Sequence, residues 1–461
     1  MSIELEHTIG VDPATAWGYF AAPGAMRRLA PPFMPLRPHR EADSLRDGVA
    51  VLVPRSALPG PLGARLGPAW TATHDPAAYV DGERFVDRCT SQPYAGLTGW
   101  VHEHTVTAGP DGTTVLGDRV DARVSARLLE PMFAYRHRQM ERDLERFREL
   151  EGLGDGRPRT VAVSGASGLV GEALVALLGV AGHRVIRLVR RPARAADERH
   201  WDPESPSTDL LDGVDTLVHL AGASIAGRFT DRHLDRVRDS RVGPTRRLAE
   251  LVAARGGRTA LVCASAVGVY GPDRGDEELD EHSDPGTGPL AEIVRDWEAA
   301  CEPARRAGAR VVTVRTGIVL SGAGGMLPAL AAVTRTGLGG RLGSGRQWMS
   351  WIALDDLTDI YLRAVTDDAL AGTVTAVAPH AVRNSDFTDR LGSVLHRPTV
   401  VPVPAFAPGL LLGQRGGHEL ALADQLVRPR ALGDAAHVFR YPRVSDALAH
   451  ELGAEGPPGQ R

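Results

Sequence analysis

The sequence predicts an α/β chain in which a doubly wound parallel sheet with a small C-terminal subdomain follows a separate α+β domain. Three observations predict it. Apolar β-branched runs alternate with helical stretches from Thr160 onward, short β-rich runs and turn signals fill the region before Glu151, and the Gly-, Pro- and charge-rich stretch EGLGDGRPR divides the two patterns. With 461 residues the chain is long enough for more than one buried core. The expected boundaries are 1–150 for the first domain, 151–159 for a linker, 160–397 for the sheet domain and 398–461 for the C-terminal subdomain and tail.

In the first domain Ile3, Leu5 and Ile9 lie near period two, and VDPATAWGYF places a proline just inside a helix start. PGPLG, DG and PDGTT then separate short runs such as TTVLGDRVDARV, the pattern of an antiparallel meander. Phe133, Met140, Leu144 and Phe147 recur at helical spacing and close the domain with a long helix. This layout, with its VDPATAWGYF element, resembles the START-like helix-grip family, also called the polyketide cyclase or SRPBCC superfamily. There a curved antiparallel sheet wraps a long C-terminal helix around an apolar cavity, so the resemblance implies an apolar ligand in the N-terminal domain.

After the linker, TVAVSG reads as a buried strand, LVGEALVALLGVAG as a helix ending at Gly182, and HRVIRLVR, DTLVHLAG, TALVCASAV and RVVTVRTG as further strands. Helices are expected over 232–254 and 290–306. Directly after the first strand comes GASGLVG, with Gly165, Gly168 and Gly171 across a strand-to-helix turn. A dinucleotide site needs this pattern: one glycine for the tight turn, one where the pyrophosphate approaches the backbone, one for close helix packing. The helix N-terminus adds free N–H donors and a favourable dipole. The fold expected is therefore Rossmann-like. The second strand ends in Arg190 and Arg191, where an NAD-specific site carries an acid for the ribose 2′-hydroxyl, and an arginine there favours a 2′-phosphate and NADP(H) by about tenfold.

HLAG at His219 to Gly222 and SAVGVYG at Ser265 to Gly271 are similar to landmarks of extended short-chain dehydrogenase/reductases. HLAGASIAGRFT, LAEIVRDWEAA, VRTGIVLS, GLGGRLGSGRQWMSWIALDDL and VAPHAVRNSDFT together resemble an epimerase-family branch of that group, over about 160 to 450 and including a C-terminal extension that ends in FRYPRVSDALAHEL. The resemblance implies that Gly165, Ser167, Gly168, Leu169, Val170 and Gly171 line the pyrophosphate, that Arg190 faces the adenosine phosphate, and that Ala221 and Gly222 lie on the adenine-ribose side. It also implies Ser265 at the nicotinamide and substrate, with Tyr270 and Arg315 at the substrate mouth.

The departure from that family concerns catalysis. Extended short-chain reductases use Tyr-x-x-x-Lys, in which the lysine lowers the tyrosine pKa for proton exchange with substrate. All 53 basic residues here are arginine, and the corresponding helix, GPLAEIVRDWEAA, has no tyrosine. Glu292 and Asp296 on that helix, with Tyr270, are the candidate replacements. Arg346, with Trp348, Met349 and Trp351, reads either as an anion-binding loop over an aromatic substrate floor or as ordinary hydrophobic anchoring. Asp355 and Asp356 read as helix-start charges.

Composition narrows the alternatives. Hydrophobic residues at 43% and charged residues at 24% are those of a globular protein, and a net charge of -4 leaves no electrostatic footprint for nucleic acid or anionic membrane. Cys89, Cys263 and Cys301 lie far apart without C-x-x-C, no leader-like or membrane-spanning run is seen, and a cytoplasmic protein acting on a small-molecule substrate is expected. His102 and His104 share one face of a β-run, but spacing assembles no ligand set around them, and no metal is expected. The expected activity is NADP(H)-dependent oxidation, reduction or epimerisation of a small organic substrate. A non-catalytic NADP(H) sensor and a hydrophobic-ligand carrier are the alternatives.

Overall fold

The computed structural model describes residues 2–55 and 67–456, which fall into two compact units, one built mainly from residues up to Glu149 and the other from Leu150–Val175 and His183–Ala449. The PGPLG turn lies outside the described residues. No helix among those described is long and apolar enough to cross a membrane.

In the first unit the strands are β1 (Ser2–Ile9), β2 (Leu36–Arg40), β3 (Val49–Pro54), β4 (Trp70–His74), β5 (Arg84–Cys89), β6 (Val101–Ala108) and β7 (Thr114–Asp121). They form one antiparallel sheet in the order β1-β7-β6-β5-β4-β3-β2. The helices are α1 (Pro13–Ala21), α2 (Ala25–Arg28), α3 (Tyr94–Thr98) and the long α4 (Ala126–Leu150). Asp12 starts α1 by accepting the Thr15 N–H at 3.0 Å, with Pro13 at the first helical position. Period-two alternation buries Leu116 and Val120 of β7, and Val120 packs with Leu129 and Phe133 of α4. Asp143, fully buried on α4, accepts a hydrogen bond from the Tyr19 hydroxyl at 2.7 Å and two from Arg28 at 2.9 and 2.6 Å, which fixes the α1–α2 corner. Inside this unit is a cavity of about 880 Å³ whose lining includes Trp17, Phe20, Met26, Leu52, Trp70 and Phe85.

The second unit runs β8 (Thr160–Ser164), α5 (Leu169–Val180), β9 (Arg184–Val189), β10 (Glu198–His200), β11 (Thr216–His219), α6 (Asp231–Asp239), α7 (Val242–Ala254), β12 (Ala260–Ala266), β13 (Asp273–Leu279), α8 (Pro289–Ala299), α9 (Glu302–Arg306) and β14 (Val311–Thr316). A parallel Rossmann-like sheet takes the order β10-β9-β8-β11-β12-β14, then the strand Gly372–Ala376. Val161, Val163, Leu217, Val218, Leu261, Val262, Val312 and Val314 are fully buried in it, as a sheet covered on both faces requires. Outside it, β13 pairs with the strand Asp424–Val427.

Two expected helices are each broken in two, for one reason. A proline ring clashes with the carbonyl four residues earlier. Pro244 therefore ends α6 before Ser240, and Pro303 ends α8 at Ala299. The helix Leu354–Thr366 does carry Asp355 and Asp356 in its first turn, but Asp356 is buried and accepts the backbone N–H groups of Arg440 at 2.6 Å and Tyr441 at 3.1 Å. Burial and the neighbouring Asp359 push its carboxyl up to about 7, against the pull of those N–H donors and of the Arg440 charge. Arg440 in turn holds buried Asp359 through Nε at 2.5 Å and Nη2 at 2.6 Å. This clamp ties the FRYPRV segment to the helix. Truncating one partner of such a pair strands a buried charge, so Arg440→Ala is expected to lose about 3–5 kcal/mol of unfolding free energy in a urea titration.

Candidate functional site

In an open parallel sheet, ligands bind beyond the carboxyl ends of the strands where the strand order reverses. Here the chain leaves β8 toward β9 on one side and resumes at β11 on the other, so the reversal lies between β8 and β11. Ser164 Oγ and His219 Nδ1, at the ends of these two strands, are hydrogen-bonded at 2.6 Å. Both are fully buried. The next residue, Gly165, has φ +72°, and a Cβ on it would stand 2.8 Å from Leu220 C and Ala221 N. Only glycine fits there.

The other two glycines differ from it and from each other. A Cβ at Gly171 would meet Gly165 O at 2.2 Å, so this glycine lets α5 pack against the turn, whereas a Cβ at exposed Gly168 would meet only Gly165 O at 3.4 Å. Gly168 thus borders open space in front of the first turn of α5, beside exposed Ser167 and half-buried Leu169 and Val170. This is a cradle of bare backbone and N–H donors that fits a pyrophosphate.

Two features at the rim concern charge. Arg191 is engaged by Glu198 through hydrogen bonds of 2.8 and 2.6 Å, which corrects its expected role as a free phosphate donor. Arg190 is exposed and has no ion pair among the described residues. Behind Gly222, which is itself exposed, the guanidinium of Arg241 lies where a Cβ would come within 2.8 Å of its Cζ. Arg241 is buried, donates to Ala223 O at 2.9 Å and Val237 O at 3.1 Å, and faces no carboxylate among the described residues. Burial lowers its pKa to about 10, and burial together with the Arg241 charge lowers that of His219 to about 4.

At the end of β12, Ser265 donates to Glu298 Oε1 at 2.5 Å, and Glu298 is held by Arg315 through two bonds of 2.9 Å. Burial works against the Arg315 charge, but its bonds to Glu298 outweigh this and raise its pKa. Sequence reasoning missed Glu298. It lies six residues beyond Glu292 on α8, and only the tertiary fold shows which carboxylate turns inward. Glu292, the expected candidate replacement on this helix, is exposed and makes no hydrogen bond to Ser265. Arg315 is buried in its pair with Glu298, and Tyr270 is fully buried, its hydroxyl donating to Asp280 O at 2.8 Å while accepting from Arg315 at 3.1 Å. Neither stands at a substrate mouth with a free donor.

Trp351 is likewise core, fully buried with its indole N–H on His380 O at 3.0 Å, which corrects its reading as pocket floor. Trp348 is half-buried, donates to Asp276 at 2.8 Å, and has the Arg383 guanidinium 3.9 Å from its ring centre. Arg346 is exposed.

Comparison with known proteins decides the family. A model described as the NAD dependent epimerase/dehydratase family matches residues 161–378, and one described as a domain of unknown function (DUF1731) matches 403–451. An epimerase family protein of Mycobacterium bovis is 42% identical over 63% of this chain and 96% of its own length. The chain belongs to the NAD-dependent epimerase/dehydratase family.

Within this NAD(P)-binding family, a crystal structure described as the nucleoside-diphosphate sugar epimerase from Corynebacterium glutamicum is 43% identical, with a TM-score of 0.86, over 99% of this chain and 91% of its own. The human epimerase family protein SDR39U1, whose structure was determined with NADPH, is 30% identical over 64% of this chain and 99% of its own, with a TM-score of 0.58.

Two outcomes test this epimerase-family site. Gly168→Ala is expected to leave the melting temperature unchanged yet weaken NAD(P)H binding at least about tenfold in a fluorescence titration, while Gly171→Ala lowers the melting temperature, because its Cβ meets backbone that cannot yield. His219 has a folded pKa of about 4 against 6.5 for the free side chain, so its contribution is present above pH 6.5 and is lost as pH falls through 4. Urea titrations between pH 7.5 and 4 are expected to show this loss, about 3 kcal/mol in full, and His219→Asn to flatten it.

Proposed function

We propose that the second unit is an NADP(H)-dependent oxidoreductase or epimerase-like enzyme of the extended short-chain type, acting on a small organic substrate with an oxidisable carbon–oxygen bond. The observation that carries this reading is the Ser265–Glu298–Arg315 chain at the carboxyl end of β12, on the same side of the sheet as the Gly165–Gly171 turn. The fit of the turn to a pyrophosphate, with exposed Arg190 for a 2′-phosphate and the human relative bound to NADPH, supports NADP(H). When bound, the nicotinamide supplies or accepts the hydride.

The protein's own part is proton transfer. Ser265 accepts the substrate hydroxyl proton as its own proton passes to Glu298, and in the opposite direction returns it to a carbonyl oxygen. Arg315 holds both Glu298 oxygens, so the acceptor atom stays 2.5 Å from Ser265 Oγ. This relay replaces the Tyr-x-x-x-Lys pair that the chain lacks. For the first unit we propose a START-like domain that takes an apolar ligand; the antiparallel sheet, the long α4 and the cavity support that reading. A cytoplasmic location, a small-molecule substrate and no nucleic-acid partner complete it.

The absence of Tyr-x-x-x-Lys favours one rival, a non-catalytic NADP(H) sensor. Titration with NADPH and NADH is expected to show NADPH preferred by about tenfold, and Arg190→Ala to remove the preference. In an NADPH-oxidation screen over aldehydes, ketones and nucleotide-linked ketosugars, Ser265→Ala and Glu298→Gln are expected to lower kcat about 10²–10⁴-fold with NADPH affinity unchanged. Tight NADPH binding with no turnover on any substrate would establish the sensor instead.

A further inference from the structure

The cavity of the first unit has a polar floor that neither the sequence nor the family explains. Strand register brings it together. Asp87 of β5 pairs with His102 of β6, and His104, two residues on, pairs with Asp118 of β7. Alternation points all four side chains to one face, where His137 of α4 joins them. Asp87, His102 and His104 line the cavity; Asp118 and His137 stand behind.

The distances within this cluster fall into two sets. Asp118 makes close contacts: Oδ1 lies 2.8 Å from His102 Nε2 and 3.0 Å from His104 Nδ1, and Oδ2 lies 2.6 Å from His137 Nε2. Asp87 does not. Its Oδ2 stands 3.5 Å from His102 Nδ1 and 3.4 Å from His104 Nε2, longer than the usual N–H···O distance of about 2.7–3.2 Å. His102 Nε2 is hydrogen-bonded to Asp118, so a neutral His102 ring that donates there turns the lone pair of Nδ1 toward Asp87, whose carboxylate oxygen also offers only lone pairs; His104 Nδ1, in spite of its approach to Asp118, is buried without a hydrogen bond. One donor atom from each of the three residues lies within 4.8 Å of the others. A cation between them resolves the arrangement. Atoms bound tetrahedrally at about 2.0–2.1 Å from zinc stand about 3.3–3.4 Å apart, close to the two spacings from Asp87 to the imidazoles.

We propose that Asp87, His102 and His104 form a three-ligand site for a divalent transition-metal ion of the zinc class, with its fourth position open to the apolar cavity. Two imidazoles and one carboxylate are a donor set suited to zinc, and three protein ligands with one exchangeable position mark sites that act on a ligand rather than only brace a fold. Asp118 is the positioning residue: one carboxylate oxygen is hydrogen-bonded to His102 and lies 3.0 Å from His104 Nδ1, and His137 holds its other oxygen. The occupant of the open position is an apolar molecule with an oxygen-donor end, a carboxylate or a carbonyl. This inference stands on the first unit alone and is independent of the hydride-transfer reading.

The test uses the full chain, stripped by a chelator, dialysed and reloaded with Zn²⁺ or Co²⁺. Retention of one ion per chain by elemental mass spectrometry is expected, and the cobalt form is expected to show the intense visible bands of four-coordinate Co²⁺, a readout that needs no variant. Asp87→Ala and His104→Ala are expected to abolish stoichiometric retention, and Asp118→Asn to weaken metal affinity about 10–100-fold, with an unchanged circular dichroism spectrum and melting profile of the metal-free chain as the check that each variant is folded. Decanoate is expected to shift the cobalt bands as its carboxylate enters the fourth position. Failure of the wild-type protein to retain either ion, or retention unchanged in a folded Asp87→Ala/His104→Ala variant, would overturn the site. Bands indifferent to decanoate would overturn its open coordination.

Discussion

The second unit depends on one close approach, that of the Gly165 backbone to Leu220 and Ala221, which leaves no room for a Cβ. It sets how near the ends of β8 and β11 can come, and it brings Ser164 within 2.6 Å of His219 at the reversal of strand order. The turn leads directly into the first turn of α5, and Gly171 lets the helix settle onto Gly165 O. The same compactness has an electrostatic consequence, since Arg241 is buried beneath Gly222 and favours a neutral His219 nearby.

At the end of β12 four side chains form one hydrogen-bonded group. Glu298, Arg315, Ser265 and Tyr270 are connected by hydrogen bonds of 2.5 to 3.1 Å, and most of them are shielded from water. A carboxylate in such a place would be costly to desolvate alone, and the two-pronged contact with Arg315 offsets that cost while fixing its orientation. Tyr270 retains the SAVGVYG landmark position but is committed to Asp280 O, so its hydroxyl supports Arg315 rather than meeting a substrate. A family landmark here braces the Glu298–Arg315 pair.

The first unit follows another logic. An antiparallel sheet with one covered face calls for apolar residues at every second position, and β7 obeys with Leu116 and Val120. Asp118 and the histidines of β6 break the pattern at its centre, where each requires another as partner. Buried polar residues are costly where their bonding is unmet, and these give part of an apolar cavity a polar wall.

Fold class, the order of most elements and the glycine turn were legible in the sequence, because each rests on local rules: period two or 3.6, prolines and glycines that break or permit, and a strand-to-helix turn. The helix breaks before Pro244 and Pro303 were legible in principle too, as local sterics. The partners of ionisable residues were not. Whether Glu292 or Glu298 turns toward Ser265, whether Arg190 or Arg191 stays free, and whether Trp351 floors a pocket or fills a core are decided by which face of an element packs inward. The same holds for Asp87, far from His102 and His104 in no sequence motif yet adjacent across the sheet through register. Local sterics act within a few residues and can be read along the chain; hydrogen bonds and charge pairs act through space, and only the packed tertiary structure sets those distances.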